Sequence, residues 1–375
     1  MRIGIDVRYL SHGLVGGVHT YVANFVPTLI ELATDHQIFL YADTKQPFEL
    51  QNLPPRVMVR YLPYRNALSS LQNDFFMKRV MARDCLDVVH FPANYGFGPT
   101  GAAVVITLHD EINIMPWLEI VRGHPKTAKT VIMMTYLHHC TKAALRRTRL
   151  IVTVSEYAKQ QINRYSSFDL CRIVPVPHAP TPDLKRIQDP MILADICRRH
   201  NLTTPYVLAD ALKNPAVLVR AWQKLPAALQ ARYKIVFFAR QPNLLPVVHK
   251  AVEAGIARLL VRPSRADLIG LYSQAQAFVF PSWIEGFGLP ILEAMTCGAP
   301  VIASNRGSIP EVAGNAALIM DAEDDEALAE HLNTVLTSPD KKQQLQTLGY
   351  ARAAEFSWSR TARQILDSYH QALLN

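Results

Sequence analysis

Two glutamates eight residues apart frame the part of this sequence best suited to chemistry. In Phe278-Val279-Phe280-Pro281-Ser282-Trp283-Ile284-Glu285-Gly286-Phe287-Gly288-Leu289-Pro290-Ile291-Leu292-Glu293, an apolar run ends at Phe280. A glycine-bearing loop holds Glu285, and a helical pattern follows with Pro290 near its first turn and Glu293 one turn inside. Proline is tolerated there because first-turn N–H groups have no intrahelical partner to lose. A strand–glycine loop–helix junction aims free backbone N–H groups and the positive end of a helix dipole at one spot. That favours an anion, phosphate above all. A carboxylate beside such a cradle can accept hydrogen bonds from hydroxyls, as acidic residues do with a ribose. One glutamate for a ribose and one for a second polyol would suit a nucleotide sugar. The plainer reading of each is a carboxylate complementing the helix dipole, and the spacing leaves both open.

The elements that must position these residues alternate. Ile3, Ile5 and Val7 mark a first strand, followed by a Gly-bearing loop with Gly16 and Gly17. A helical stripe runs from about His19 to Leu32, through Tyr21, Val22, Phe25, Val26, Leu29 and Ile30. Short strand-like runs recur at Gln37–Tyr41, Val57–Tyr61, Leu86–Phe91, Ala103–Thr107 and Leu150–Val154, with helical patterns between most of them. From Ile173 to Pro190 a Pro-rich texture reads as an inter-domain connection, because proline lacks the N–H and restrains its predecessor. The alternation then restarts with strands at Tyr206–Leu208, Lys234–Phe238, Arg258–Val261, Ala277–Phe280 and Pro300–Ala303. Alternating strand and helix predicts parallel sheets covered by helices. The expectation is an α/β chain of two doubly wound domains, 1–180 and 181–356, with ligands at the strand C-termini.

The 375 residues, 49% hydrophobic and 19% charged, suit two packed cores rather than a disordered chain. No apolar run reaches the ~20 residues of a membrane span, and the charged start lacks a signal-peptide core. Five scattered cysteines without a C-x-x-C argue against a disulfide framework or zinc knuckle, so a reduced cytoplasmic protein is expected. The formal charge is +8; residues 1–190 carry 21 Lys and Arg against 15 Asp and Glu, the remainder 18 against 16. Such an excess seeks phosphates or anionic surfaces. Nucleic acid is disfavoured, since no aromatic–basic sheet motif or helix-turn-helix pattern occurs.

The Glu285–Glu293 segment resembles the E-x₇-E signature of retaining glycosyltransferases of family 4 (glycosyl transferases group 1). Further stretches are similar in order along nearly the whole chain. These are Gly4-Ile5-Asp6-Val7-Arg8 with Gly16-Gly17-Val18, Thr107-Leu108-His109-Asp110, Thr153-Val154-Ser155-Glu156, Val301-Ile302-Ala303-Ser304-Asn305 through Pro310-Glu311-Val312-Ala313-Gly314, and Phe356-Ser357-Trp358. The resemblance implies the GT-B architecture: two Rossmann-like domains facing each other across a cleft, with the C-terminal helix, about 357–375, returning to the first. It implies a retaining, metal-independent hexosyltransferase (EC 2.4) that needs no cofactor. The sugar would pass from a nucleotide-sugar donor to a glycan or lipid-linked acceptor, in cell-surface polysaccharide or glycolipid synthesis. By the same resemblance Glu293 meets the donor ribose and Glu285 the donor sugar. Gly286, Phe287, Gly288 and Leu289 face sugar and diphosphate, and Lys213 of Lys213-Asn214 neutralises the diphosphate. Gly16 and Gly17 approach the donor, His109 stands beside the reacting sugar, and Arg262 falls near the nucleobase. His109 and Glu285 are the side chains expected nearest the anomeric carbon. The alternative is a GT-B chain that has lost activity and serves as a partner or membrane-docking subunit. It is motivated by one departure: the family often places an Arg shortly before the Lys, whereas Val207–Lys213 holds none, unless Arg240, Arg262 or Arg265 moves in.

No metal site is expected, since His109-Asp110 alone gives too few ligands and no D-x-D occurs. Glu323-Asp324-Asp325 reads as helix capping, Cys297 as packing and Gly298 as a helix stop. His138 and His139 read as surface residues. Met133–Arg149, with Lys142, Arg146 and Arg147, reads either as a basic amphipathic helix on the inner face of an anionic membrane or as a solvated face.

Overall fold

Strands that are apolar along their whole length, rather than at alternate positions, belong in sheets covered on both faces. The computed structural model, which describes residues 1–11, 17–122, 127–241 and 245–374, builds two such sheets. The chain divides into one unit of residues 1–178 and 357–375 and a second of residues 179–356.

The first unit holds β1 (Arg2–Asp6), β2 (Gln37–Asp43), β3 (Val57–Leu62), β4 (Val88–Phe91), β5 (Ala103–Leu108), β6 (Leu150–Thr153) and β7 (Ile173–Pro175). All are parallel, in the order β3-β2-β1-β4-β5-β6-β7. The order reverses between β1 and β4, so the loops after β1, β4 and β5 converge at a switch point. The helix Gly17–Leu32 buries the stripe Tyr21, Val22, Phe25, Val26, Leu29 and Ile30. The C-terminal helix Trp358–Leu374 lies in this unit, as expected. Its Thr361 hydroxyl donates to the Pro177 carbonyl (2.7 Å) and its Tyr369 hydroxyl meets His90 Nδ1 (2.8 Å).

Two sequence expectations are corrected here. The Pro-rich segment does not begin as a connection at Ile173, because Ile173–Pro175 forms the edge strand β7. Proline is acceptable at a sheet edge, where its missing N–H breaks no inner ladder. His138 is not a surface residue: it is buried on the helix Ala128–Leu145, with Nδ1 3.0 Å from the Asn113 carbonyl. Neighbouring His139 is exposed.

The second unit holds β8 (Tyr206–Asp210), β9 (Lys234–Ala239), β10 (Ala257–Val261), β11 (Ala277–Phe280), β12 (Val301–Ser304) and β13 (Ala317–Met320). Its parallel order is β10-β9-β8-β11-β12-β13, with the switch point between β8 and β11. The core gathers Val207, Trp222, Ile235, Phe237, Val279 and Leu332. Asp324 caps the helix Asp325–Thr337 by accepting from the N–H groups of Glu326 and Ala327. Cys297 is fully buried, and Gly298 ends the preceding helix at φ +78. No helix among the described residues is long and apolar enough to cross a membrane.

Candidate functional site

At the switch point of the second unit, β8 and β11 release adjacent loops that carry most of the singled-out residues. The loop after β11 is held by hydrogen bonds that leave little freedom. Ser304 Oγ donates to the Ser282 carbonyl (2.6 Å), and both the N–H (3.1 Å) and the hydroxyl (3.0 Å) of Ser308 donate to the Glu285 carbonyl. Gly307, at φ +61, lets this contact form, because a Cβ there would stand 2.5 Å from the Glu285 carbonyl oxygen. Gly288, at φ +91, opens the helix Leu289–Thr296 with Pro290 in its first turn. Phe287 is buried edge-on to Phe356, with centroids 5.9 Å apart. Gly286 through Leu289 thus sit between a fixed carboxylate and a helix N-terminus, where anions are favoured.

The Glu285 carboxylate accepts from Ser282 Oγ (2.7 Å) and pairs with Lys213 Nζ (2.6 Å). Lys213 follows β8, and its N–H donates to the Asp210 carbonyl (3.1 Å). Asn214 adopts a left-handed φ of +48 before the helix Pro215–Lys224. Its amide donates to the carbonyls of Pro281 (3.1 Å) and Ala322 (2.7 Å), pinning the β8 loop to the β11 loop. The Lys-Asn pair therefore divides its work: the asparagine fixes the junction and the lysine projects a charge.

Glu293 is nearly buried and pairs with Arg265 Nη1 at 2.9 Å. Burial raises its pKa, while Arg265 and then Arg240 act in the opposite direction. Arg265 also reaches Asp183 (3.5 Å) and hydrogen-bonds Thr181. Arg262, at φ +52, donates its N–H to the Ala239 carbonyl (2.7 Å) and Nε to the Arg240 carbonyl (3.2 Å). Ser282, Gly307, Ser308, Thr181 and Asp183 were not singled out from sequence. The first three lie beside the signature, but their partners are chosen by loop packing, and the last two come from the Pro-rich segment with no local signal.

His109 and Gly17 belong to the first unit. Gly17 begins the helix Gly17–Leu32, and among the described residues no atom beyond its chain neighbours and its own helix backbone lies within 4 Å of the position its Cβ would take. Gly16 lies outside the described residues. His109 follows β5, its N–H donating to Asn94 Oδ1 (3.2 Å) and its Nε2 lying 2.9 Å from the Pro92 carbonyl. A carbonyl only accepts, so Nε2 carries the proton and Nδ1 is an acceptor. Tyr21 and His178 stand edge-on to the ring at 5.2 and 5.4 Å and stack on each other at 4.6 Å. Burial pushes the His109 pKa down to about 4, so the ring is neutral at pH 7. At the end of β1, Arg8 pairs with Asp6 (2.7 Å) and Asp74 (2.6 Å), and Asp74 also accepts from Tyr95 (2.9 Å) and Tyr136 (2.6 Å). Sequence reading missed this buried network, because Asp74 and Tyr136 reach it from two separate helices.

Comparison with known proteins bears on both units. The family model "Glycosyltransferase Family 4" matches residues 15–183, and "Glycosyl transferases group 1" matches residues 208–352. O-antigen chain mannosyltransferase B of Escherichia coli is 31% identical over 296 residues, covering 76% of this chain and 75% of that protein. The serotype-specific mannosyltransferase WbdA of Escherichia coli is 31% identical over 242 residues, 62% of this chain but 30% of its own length. Among solved structures, sucrose-phosphate synthase from Thermosynechococcus elongatus superposes with a TM-score of 0.71 at 19% identity, covering 99% of this chain and 98% of that one. Anabaena HepE, solved with UDP-glucose, gives 0.68 at 15% identity, covering 99% and 100%. At such identities these structures speak to the fold alone, which is GT-B.

Proposed function

The chain belongs to the family 4, group 1 glycosyltransferases, and from that premise we propose that it moves a sugar, with retention, from a nucleotide-sugar donor to a glycan or lipid-linked acceptor. The observation that carries the reading is the 2.6 Å pairing of Lys213 with Glu285 at the mouth of the Gly286–Gly288 loop. Cation, carboxylate and the start of the helix Leu289–Thr296 stand together where a diphosphate and its sugar need them. Glu293 serves the ribose hydroxyls, Glu285 the donor-sugar hydroxyls, and Lys213 with the backbone amides the diphosphate.

The anomeric carbon–oxygen bond to the diphosphate breaks while the acceptor oxygen attacks from the same face. The acceptor's proton passes to an oxygen of the departing diphosphate. The protein contributes positioning and stabilises the charge that grows on the leaving group. No protein nucleophile is assigned. Neutral His109, accepting at Nδ1, takes a hydrogen bond from a sugar hydroxyl. No metal is required in this reading. Lys213 occupies the place of the counter-charge, and no three His, Cys, Asp or Glu side chains among the described residues are grouped to hold an ion.

The two Escherichia coli relatives are named as an O-antigen chain mannosyltransferase and a serotype-specific mannosyltransferase. A mannosyl donor and a role in surface polysaccharide synthesis are therefore the first choice here. The test is release of nucleoside diphosphate from a panel of sugar nucleotides, mannosyl donors first, with a glycan or lipid-linked acceptor present. The product's anomeric configuration is read by NMR. Turnover of none of them would sink the reading, and an inverted product would sink retention.

A further inference from the structure

Four cations lie beyond the ends of β8, β9 and β10 in the second unit: Lys213 after β8, Arg240 after β9, Arg262 after β10, and Arg265 at the start of the next helix. Their engagements differ. Lys213 is paired with Glu285 at 2.6 Å. Arg265 is paired with Glu293 at 2.9 Å and further held by Asp183 and Thr181. Arg262 is turned onto the end of the neighbouring strand β9 by its bonds to the Ala239 and Arg240 carbonyls. Arg240 is exposed, and among the described residues its guanidinium has neither a carboxylate in ion-pair range nor a hydrogen-bond acceptor.

We propose that Arg240 is a donor-binding residue that meets the diphosphate of the nucleotide sugar and supplies the charge that Lys213 cannot supply alone. The proposal rests on the nucleotide-sugar reading above. Each of the pairs Lys213–Glu285 and Arg265–Glu293 is already neutral. Arg262 keeps its charge but is committed to two carbonyls, so a group carrying at least two negative charges still needs a cation whose donors are not already engaged by carboxylates or carbonyls. Arg240 stands where that charge is needed. Ala239, just before it, pairs with Val261 of β10, and Phe238 pairs with Asp210 of β8, three residues before Lys213. Arg240 therefore leaves the sheet on the opposite side of Lys213 from Glu285, so that the lysine loop runs between the carboxylate of one neighbouring loop and the guanidinium of the other. Its charge is felt by both Asp210 and Glu293, whose carboxyls burial raises and Arg240 opposes. A nucleotide held at Glu293 by its ribose places its phosphates beside that guanidinium. A fork of N–H donors with no ion-pair partner among the described residues binds a phosphate without first breaking such a pair.

The experiment is calorimetric titration of GDP, UDP and ADP, and of the matching monophosphates, into wild type, Arg240→Gln, Arg240→Lys and Lys213→Ala, with melting temperatures as the folding control. For the diphosphate that wild type binds, Arg240→Gln should weaken binding at least tenfold and flatten its salt dependence. Arg240→Lys should fall in between, the monophosphate should lose less, and melting should hold. Arg240→Gln binding the diphosphate within twofold of wild type, while Lys213→Ala loses it, overturns the role of Arg240 and leaves the nucleotide-sugar reading standing. A wild type that binds none of the three diphosphates overturns that reading, and the role of Arg240 falls with it.

Discussion

One oxygen of the Glu285 carboxylate takes both the Lys213 ammonium, at 2.6 Å, and the Ser282 hydroxyl, at 2.7 Å. The second oxygen has no partner among the described residues. The ion pair thus holds the carboxylate in one orientation and leaves its second oxygen as an acceptor. A sugar hydroxyl can occupy that acceptor, while a diphosphate competes with Glu285 for the lysine.

This arrangement separates the two residues experimentally. Lys213→Ala should lower turnover by roughly a hundredfold or more, because it removes charge stabilisation that grows in the transition state. Glu285→Gln should also depress turnover, yet nucleoside diphosphate binding should hold or tighten, since the diphosphate lacks the sugar and the lysine is released. Steady-state kinetics with calorimetry decide. If Glu285→Gln loses diphosphate binding as Lys213→Ala does, Glu285 acts on the phosphates or on folding instead.

Glu293→Gln should weaken donor and nucleoside diphosphate binding roughly ten- to hundredfold, as expected for a hydrogen bond to a charged acceptor worth about 1.5–3 kcal/mol. Arg265 keeps Asp183 and Thr181 as partners, so the fold should survive. A variant that melts far below wild type, or binds nucleotide normally, would make Glu293 a structural partner of Arg265.

Acid should destabilise the first unit through its buried histidines. Burial pushes His90 down to about 3 and His109 to about 4, and it lowers His178 as well. The folded unit keeps these rings neutral while the unfolded chain protonates them near the usual value of about 6.5. Their contribution is complete above about pH 6.5 and is lost as the pH falls toward 4, at up to about 1.4 kcal/mol per pH unit for each ring. Urea unfolding between pH 7.5 and 5 should show this slope, and His109→Gln should reduce it by about one proton. Equal stability across that range would mean the rings titrate normally in the fold.

Turnover should be unaffected by EDTA, with Lys213 and backbone amides meeting the diphosphate. Activity lost to the chelator and restored by Mn²⁺ or Mg²⁺ would require a divalent ion bridging substrate and protein.

Lys142, Arg146 and Arg147 are exposed at the end of the helix Ala128–Leu145, and the same helix exposes Ile132 and Met133. If this face docks on lipid, co-sedimentation should need anionic vesicles and fade with salt, since each Lys or Arg near the surface contributes on the order of 1 kcal/mol, screened beyond a Debye length. Changing the three residues to Gln should reduce vesicle binding and leave nucleotide binding unchanged. Equal binding to neutral and anionic vesicles, or none to either, returns the basic excess to a solvated surface.

The sequence by itself determined the alternation of strand and helix, and with it the doubly wound fold. Apolar runs such as Phe278–Phe280 and stripes such as Tyr21–Phe25–Leu29 are local patterns whose period does not depend on the rest of the chain. It also determined the glycine loop and helix start between Glu285 and Glu293, because a left-handed φ at Gly288 and a first-turn proline are local demands. Only the tertiary structure decided which charges meet. Arg265 finds Glu293, Asp183 and Thr181, residues 28 to 84 positions away, because the strand order carries their loops to one end of one sheet. It likewise decided that His138 is buried while His139 is exposed, and that Ile173–Pro175 closes a sheet rather than opening a connection. Burial and pairing are set by what packs from elsewhere in the chain. A single stretch of sequence states its own propensity but not its neighbours, and the neighbours fix the charge state of a histidine and the partner of a lysine.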